Sequence, residues 1–177
     1  MKQAVFLDRD GVINDAIIRN GKPYAPTTWE EFKIFPEVPG ALQTLAQAGF
    51  LLIVATNQPD VGRGLIRRML VDDMHRQLME TFPLDDIRVC YDTEESGSPY
   101  YKPRPGMLLE AAKEFGVDLS KSYMVGDRWR DVGCGLAAGC FTIWIDRGYT
   151  EPVRYEPHAT CGNLQEAVSI ILEHSRV

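Results

Sequence analysis

The chain has 177 residues, 45% hydrophobic and 25% charged, with 15 Gly and 11 Pro. That excludes a disordered, collagen-like or coiled-coil chain and predicts a single domain over residues 1–177. Lysine and arginine number 19 against 25 aspartates and glutamates. The resulting formal charge of −6 argues against non-specific binding to nucleic acid or an anionic membrane, partners that select basic surfaces.

The predicted elements alternate. Ala4 to Leu7 is a continuous apolar run ending at Asp8, the pattern of a strand buried on both faces. Pro39 opens a helix whose stripe is Val38, Leu42, Leu45 and Ala46 and whose stop is Gly49. Phe50 to Ala55 is a second buried strand, running into Thr56 and Asn57. The spacing Ile66, Leu70, Met74, Leu78 predicts a helix from about Gly64 to Phe82, and Ile87 to Tyr91 reads as a third strand. A polar loop from Asp92 to Tyr101 precedes a helix beginning near Pro103 and Pro105, with Met107, Leu108, Ala111, Ala112 and Phe115 on its apolar side. Ser122 to Val125 is a fourth strand, ending in Gly126 and Asp127. Trp129 to Ala138 is a helix closed by Gly139, with Asp127 read as its N-cap as well as a site residue. Phe141 to Ile145 is a fifth strand, and Asn163 caps a last helix with Glu166 three residues on. Asn14 to Phe35 and Arg147 to Thr160 read as loops over the site.

Strand-helix alternation over the whole length predicts an α/β fold, a Rossmann-like three-layer sandwich with a central parallel sheet and no large cap domain. No apolar run approaches the about 18 residues of a membrane span. Met1-Lys2-Gln3 leads straight into a strand pattern without a secretory signal, so a cytoplasmic location is expected. Cys90, Cys134, Cys140 and Cys161 form no CxxC pair and are expected as thiols in a reducing compartment.

The polar residues fall at strand ends: Asp8, Thr56 and Asp127 follow the first, second and fourth strands, and the loop after the third delivers Lys102. Ligands of open α/β sheets bind at the carboxyl ends of strands. Clustered carboxylates repel unless a cation lies between them, and oxygen-only ligands select a hard ion such as Mg²⁺. Hydroxyl, amide and ammonium donors aimed at such a site bind an oxyanion. A strand-tip carboxylate can attack phosphorus, and a second carboxylate two residues on can move a proton to the leaving group and take one from water. Asp8-Arg9-Asp10-Gly11 has that arrangement, and Gly11 permits a sharp turn.

FLDRDGVIN (Phe6 to Asn14), VATNQ (Val54 to Gln58), KPRPGM (Lys102 to Met107) and VGDRWRD (Val125 to Asp131) together resemble the four ordered motifs of the haloacid dehalogenase superfamily, closest to its small capless branch of heptose-bisphosphate and histidinol-phosphate phosphatases. The resemblance implies an Mg²⁺-dependent phosphatase acting on a small phosphorylated metabolite. A sugar phosphate or bisphosphate is the first expectation; histidinol phosphate or another phosphomonoester is the alternative. It implies Asp8 as nucleophile, Asp10 as general acid/base, and Thr56 and Lys102 as holders of the phosphoryl group. Asn57, Arg63 and Arg128 would contact substrate. Asp8, the Asp10 carbonyl and Asp127 would bind the metal, with Asp131 as a weaker ligand. Relatives hold a zinc ion before the motif lysine; here the ligand positions read Cys90, Asp92, Ser98 and Tyr100, and no zinc is expected. The protein is expected to act as a monomer without nucleic-acid or membrane partners. Two rival readings, a phospho-receiver module and a nucleic-acid end phosphatase, are disfavoured by the shared D-x-D and by the acidic charge respectively.

Overall fold

The computed structural model describes residues 1–176. Six parallel strands form the central sheet: β1 (Ala4–Leu7), β4 (Leu51–Asn57), β5 (Asp86–Cys90), β6 (Tyr123–Gly126), β7 (Phe141–Ile145) and β8 (Ala159–Cys161), in the order β5-β4-β1-β6-β7-β8. A separate antiparallel hairpin, β2 (Ile17–Arg19) and β3 (Lys22–Tyr24), rises after β1. The helices are α1 (Val38–Gln47), α2 (Pro59–Gly62), α3 (Arg68–Thr81), α4 (Gly106–Phe115), α5 (Trp129–Ala138) and α6 (Leu164–His174).

Alternation along each strand divides the core in two. Val5 and Leu7 of β1, Leu52 and Val54 of β4, and Val125 of β6 pack with α1, α6 and Leu78 of α3. The intervening Ala4, Phe6, Ile53, Ala55 and Met124 pack with α4 and α5. Both faces of every inner strand are therefore covered, which is why those strands read as unbroken apolar runs. The apolar stripes of α1, α4 and α6 bury the positions that their spacing predicts, except that Ala46, Phe115 and Leu172 are only half-buried at the core edge. Among the described residues no large cap domain accompanies the sheet. Among the described residues no helix is long and apolar enough to cross a membrane.

Several elements depart from the sequence reading. The edge strand β8 overlaps the end of the Arg147 to Thr160 stretch read as loop; it is three residues of mixed exposure, too short for a period to register. The hairpin lies inside the other loop, and its turn is Asn20-Gly21 with φ of 51° and 72°. This is the two-residue Asn-Gly hairpin signal, visible in the sequence but overlooked. α3 begins at Arg68 rather than near Gly64. Ile66 is buried before the helix, and the helix's own stripe is Val71, Met74, His75 and Leu78. Asp127 does not cap α5: the N-cap position is Arg128, whose backbone N–H donates to Oδ2 of Asp131 at 3.0 Å.

Chain order reverses at β1. From there the chain proceeds one way through β4 to β5 and the other way through β6, β7 and β8. The carboxyl end of β1 is the switch point, where an open α/β sheet leaves a crevice between diverging connections. Asp8 stands there, its N–H donating to the Val125 carbonyl at 2.9 Å.

Candidate active site

A cavity of about 210 Å³ opens over these strand ends. Asp8, Asp10, Asn57, Arg63, Lys102, Asp127, Arg128 and Asp131, all singled out from the sequence, line it. Thr56 does not. It is fully buried beneath the floor, and its hydroxyl oxygen accepts a hydrogen bond from Gln58 Nε2 at 3.0 Å.

The centre is a buried lysine among carboxylates. Nζ of Lys102 donates to Asp8 Oδ1 at 2.9 Å, to Asp131 Oδ1 at 2.6 Å and to the Ala55 carbonyl at 2.7 Å. Burial would lower its pKa, but Asp131 and Asp8 outweigh burial and raise it, so the ammonium stays charged. Asn57 clamps the lysine's backbone: its Nδ2 donates to the Lys102 carbonyl at 3.2 Å and its Oδ1 accepts from the Lys102 N–H at 3.1 Å.

Burial, then Asp131, pushes the Asp8 carboxyl up from 3.8 to about 6, against the pull of Lys102. Asp127 is raised well above the usual carboxylate range by burial and by the charges of Asp8 and Asp131. Oxygens of Asp8, Asp127 and Asp131 lie within 4.8 Å of one another. Oδ1 of Asp127 is buried and has no hydrogen-bond partner. A bare carboxylate oxygen beside two other carboxylates is costly unless a cation completes the group. The donors are all oxygen, so these residues fit a hard divalent ion and not a thiophilic one.

Asp10 has the opposite character. Burial would raise its pKa, but the Arg9 guanidinium and hydrogen bonds from Asn14, Arg9 and Gln58 together hold it below the usual value. Oδ1 accepts from Arg9 Nη2 at 2.8 Å and from Asn14 Nδ2 at 2.9 Å; Oδ2 accepts from Gln58 Nε2 at 2.9 Å. Arg9 is fully buried, and its Nη1 donates to His75 Nε2, 2.9 Å away. A guanidinium has no acceptor, so the imidazole must accept and be neutral. Burial, aided by Arg9, pushes His75 down from 6.5 to about 3.

The three arginines at the rim are each paired with a carboxylate. Arg63 pairs with Asp60 at 3.1 Å, Arg128 with Glu151, and Arg130 with Glu94 at 2.8 Å. The hairpin contributes Lys22, Pro23 and Tyr24 to the wall. Sequence reasoning missed Arg9, Gln58, His75, Arg130 and Tyr149, whose hydroxyl donates to Asp127 Oδ2 at 2.7 Å. Arg9 and Gln58 lie inside the quoted motifs and were legible in position though not in role; no local signal marks His75 or Tyr149.

Residues 100–167 match a family model described as HAD-hydrolase-like. The chain is 33% identical over 150 residues to the D-glycero-beta-D-manno-heptose-1,7-bisphosphate 7-phosphatase of Rhodopseudomonas palustris, covering 78% of this chain and 80% of the relative. It is 31% identical to the enzyme of that name from Helicobacter pylori, covering 96% and 97%. Among solved structures, the D,D-heptose 1,7-bisphosphate phosphatase of B. bronchiseptica, complexed with magnesium and phosphate, superposes with a TM-score of 0.79 at 28% identity, covering 98% of this chain and 99% of the other.

Proposed function

The chain belongs to the haloacid dehalogenase superfamily and is a phosphatase of that superfamily; from that premise we propose that it hydrolyses a small phosphorylated sugar, a heptose 1,7-bisphosphate or a close analogue, with Asp8 as nucleophile. The observation that carries this reading is the Asp8–Lys102–Asp131 contact beside the unpartnered Oδ1 of Asp127. Asp8, Asp127, Asp131 and the Asp10 backbone carbonyl would hold Mg²⁺, which when bound offsets negative charge on the phosphoryl oxygens.

An oxygen of Asp8 attacks phosphorus while the bond from phosphorus to the sugar oxygen breaks. Asp10 gives that oxygen its proton. Water then attacks the aspartyl phosphate, Asp10 takes a proton from the water, the bond to Asp8 breaks and phosphate leaves. Lys102 keeps Asp8 ionised and trades a protein acceptor for a phosphoryl oxygen as charge develops there. The donors on Asp10 favour its ionised form, which suits the second step. A phosphate dianion arriving beside it raises its pKa and makes it a donor for the first. Thr56 acts from below the floor by holding Gln58 against Asp10. Arg63 and Arg128 face substrate and exchange Asp60 and Glu151 for its oxygens.

Zinc has no place in this reading. Of Cys90, Asp92, Ser98 and Tyr100 only the first is a soft ligand, and four nitrogen or sulfur ligands are the rule for structural zinc. The loop is tied instead by the Glu94–Arg130 pair and by Arg104 Nη1 donating to the Ser98 carbonyl at 3.2 Å. The four free thiols suit a reducing cytoplasm. The acidic charge suits a protein that works as a monomer on small molecules and away from nucleic acid and membranes.

Phosphate release from a panel of heptose, hexose and amino-alcohol phosphates, with Mg²⁺ and after EDTA, tests the proposal. Turnover of a sugar phosphate that EDTA stops and Asp8→Asn abolishes is the expected result. No turnover on any member, or a fully active Asp8→Asn variant, overturns it. Preference for an amino-alcohol phosphate moves the assignment to a histidinol-phosphate type.

A further inference from the structure

We infer that Tyr149 is a positioning residue for the divalent-ion site: its hydroxyl holds Oδ2 of Asp127 so that Oδ1 is the oxygen offered to the ion. The inference deepens the phosphatase reading and rests on it for the ion.

The two oxygens of Asp127 are chemically equivalent, and the torsion that exchanges them is soft. Nothing in the residue itself chooses which one faces Asp8 and Asp131. The surroundings do. Oδ2 accepts the Tyr149 hydroxyl at 2.7 Å, whereas Oδ1 is buried and accepts nothing. Oδ2 also lies against Gly11: a β-carbon there would overlap this oxygen and would stand 3.0 Å from the Tyr149 hydroxyl. Glycine and phenol thus fill one side of the carboxylate and leave the other open. The Asp127 backbone is fixed separately, by Trp144 Nε1 donating to its carbonyl at 3.0 Å.

Tyr149 is itself held in place by its neighbours in the chain. Arg147 Nε donates to the Gly11 carbonyl at 2.9 Å, the Thr150 N–H donates to the Gly21 carbonyl at 3.0 Å, and Glu151 pairs with Arg128. These ties span the D-x-D turn, the hairpin turn and the start of α5. The phenol is therefore oriented before an ion arrives, the arrangement by which residues behind a ligand raise metal affinity.

Tyr149→Phe removes the hydroxyl and keeps the ring. The metal-stripped protein is titrated with Mn²⁺, free ion being followed by electron paramagnetic resonance, and Mg²⁺ affinity is read by competition. The expected result is binding weaker by about 10- to 100-fold, with the circular dichroism spectrum retained and the metal-free unfolding midpoint lowered by the loss of the donor to Oδ2. Tyr149→Leu, a second variant without a donor, should weaken binding at least as much. Either folded variant binding Mn²⁺ as tightly as the unaltered protein overturns the assignment. If the unaltered protein takes up neither ion, the metal of the phosphatase reading fails and this inference fails with it; if it binds and Tyr149→Phe binds equally, only the role of Tyr149 falls.

Discussion

Replacing Lys102 by methionine removes a cation in contact with both Asp8 and Asp131 while keeping the side chain's bulk. The Lys102 side chain is 2% exposed, with carboxylate contacts of 2.9 and 2.6 Å. Removing one partner of a buried ion pair costs about 3–5 kcal/mol, because the remaining charge is stranded. Against a total stability of about 5–15 kcal/mol that is a large fraction. The loss carries a pH signature. Asp8 titrates at about 6 in the folded protein against 3.8 ordinarily, so the folded chain holds this proton more tightly than the unfolded chain. The stability this confers is complete below pH 3.8 and is lost as pH rises through 6. Lys102 is the charge that opposes the rise, and its removal moves Asp8 further up. The deficit of Lys102→Met should therefore be greatest above pH 6 and shrink as the carboxylates protonate. Urea unfolding of both proteins in EDTA, at about pH 5 and about pH 7.5, measures this. Equal midpoints, or a deficit unchanged between the two pH values, would refute the reasoning.

The other expected outcomes concern Asp10, His75 and Gly11. Asp10→Asn should lower kcat by about 10²- to 10⁴-fold with little change in KM; steady-state kinetics on the preferred substrate would expose the assignment as mistaken if kcat held. His75→Leu strands Arg9 Nη1 and should cost about 1–3 kcal/mol. Because His75 is pushed down to about 3 from 6.5, the stability it carries is full above 6.5 and lost as pH falls through 3. Urea midpoints for the leucine variant should decline less over that range, and a parallel decline counts against a neutral buried imidazole. Gly11→Ala and Gly49→Ala both place a side chain at positive φ, 84° and 91°, each straining the backbone by about 1–2 kcal/mol. Only the first meets Asp127; nothing lies within 4 Å of the second. Metal affinity should fall in Gly11→Ala and survive in Gly49→Ala, and a common response to both would argue that strain alone decides.

How much was legible in the sequence depends on the range of the interaction. Ala4–Leu7 and Leu51–Asn57 announce themselves as doubly buried strands because burial on both faces needs no partner to be inferred. Trp129–Ala138 and Phe141–Ile145 were readable to the residue, since a helix stripe ending at Gly139 and an aromatic, β-branched run are local properties. Asp8 and Asp127 were legible for a similar reason, because ligands of an open parallel sheet bind at the carboxyl ends of its strands; Lys102, in the loop after the third strand, was legible from the KPRPGM motif.

The tertiary structure alone decided which oxygen meets which donor. Thr56 sits at a strand end like Asp8, yet lies under the floor and supports Gln58. Asp127 was a plausible helix cap, but the cap position before Trp129 is Arg128, and Asp131 accepts its backbone N–H. His75 and Tyr149 are separated from their partners by 66 and 22 residues, and no periodicity links them to Arg9 or Asp127. Strand and helix patterns follow from short-range sterics and from the apolar faces that each segment must hide, which the chain encodes locally. The hydrogen-bonded order of a buried charge cluster depends on the relative placement of distant segments, which exists only once the sheet has brought them together.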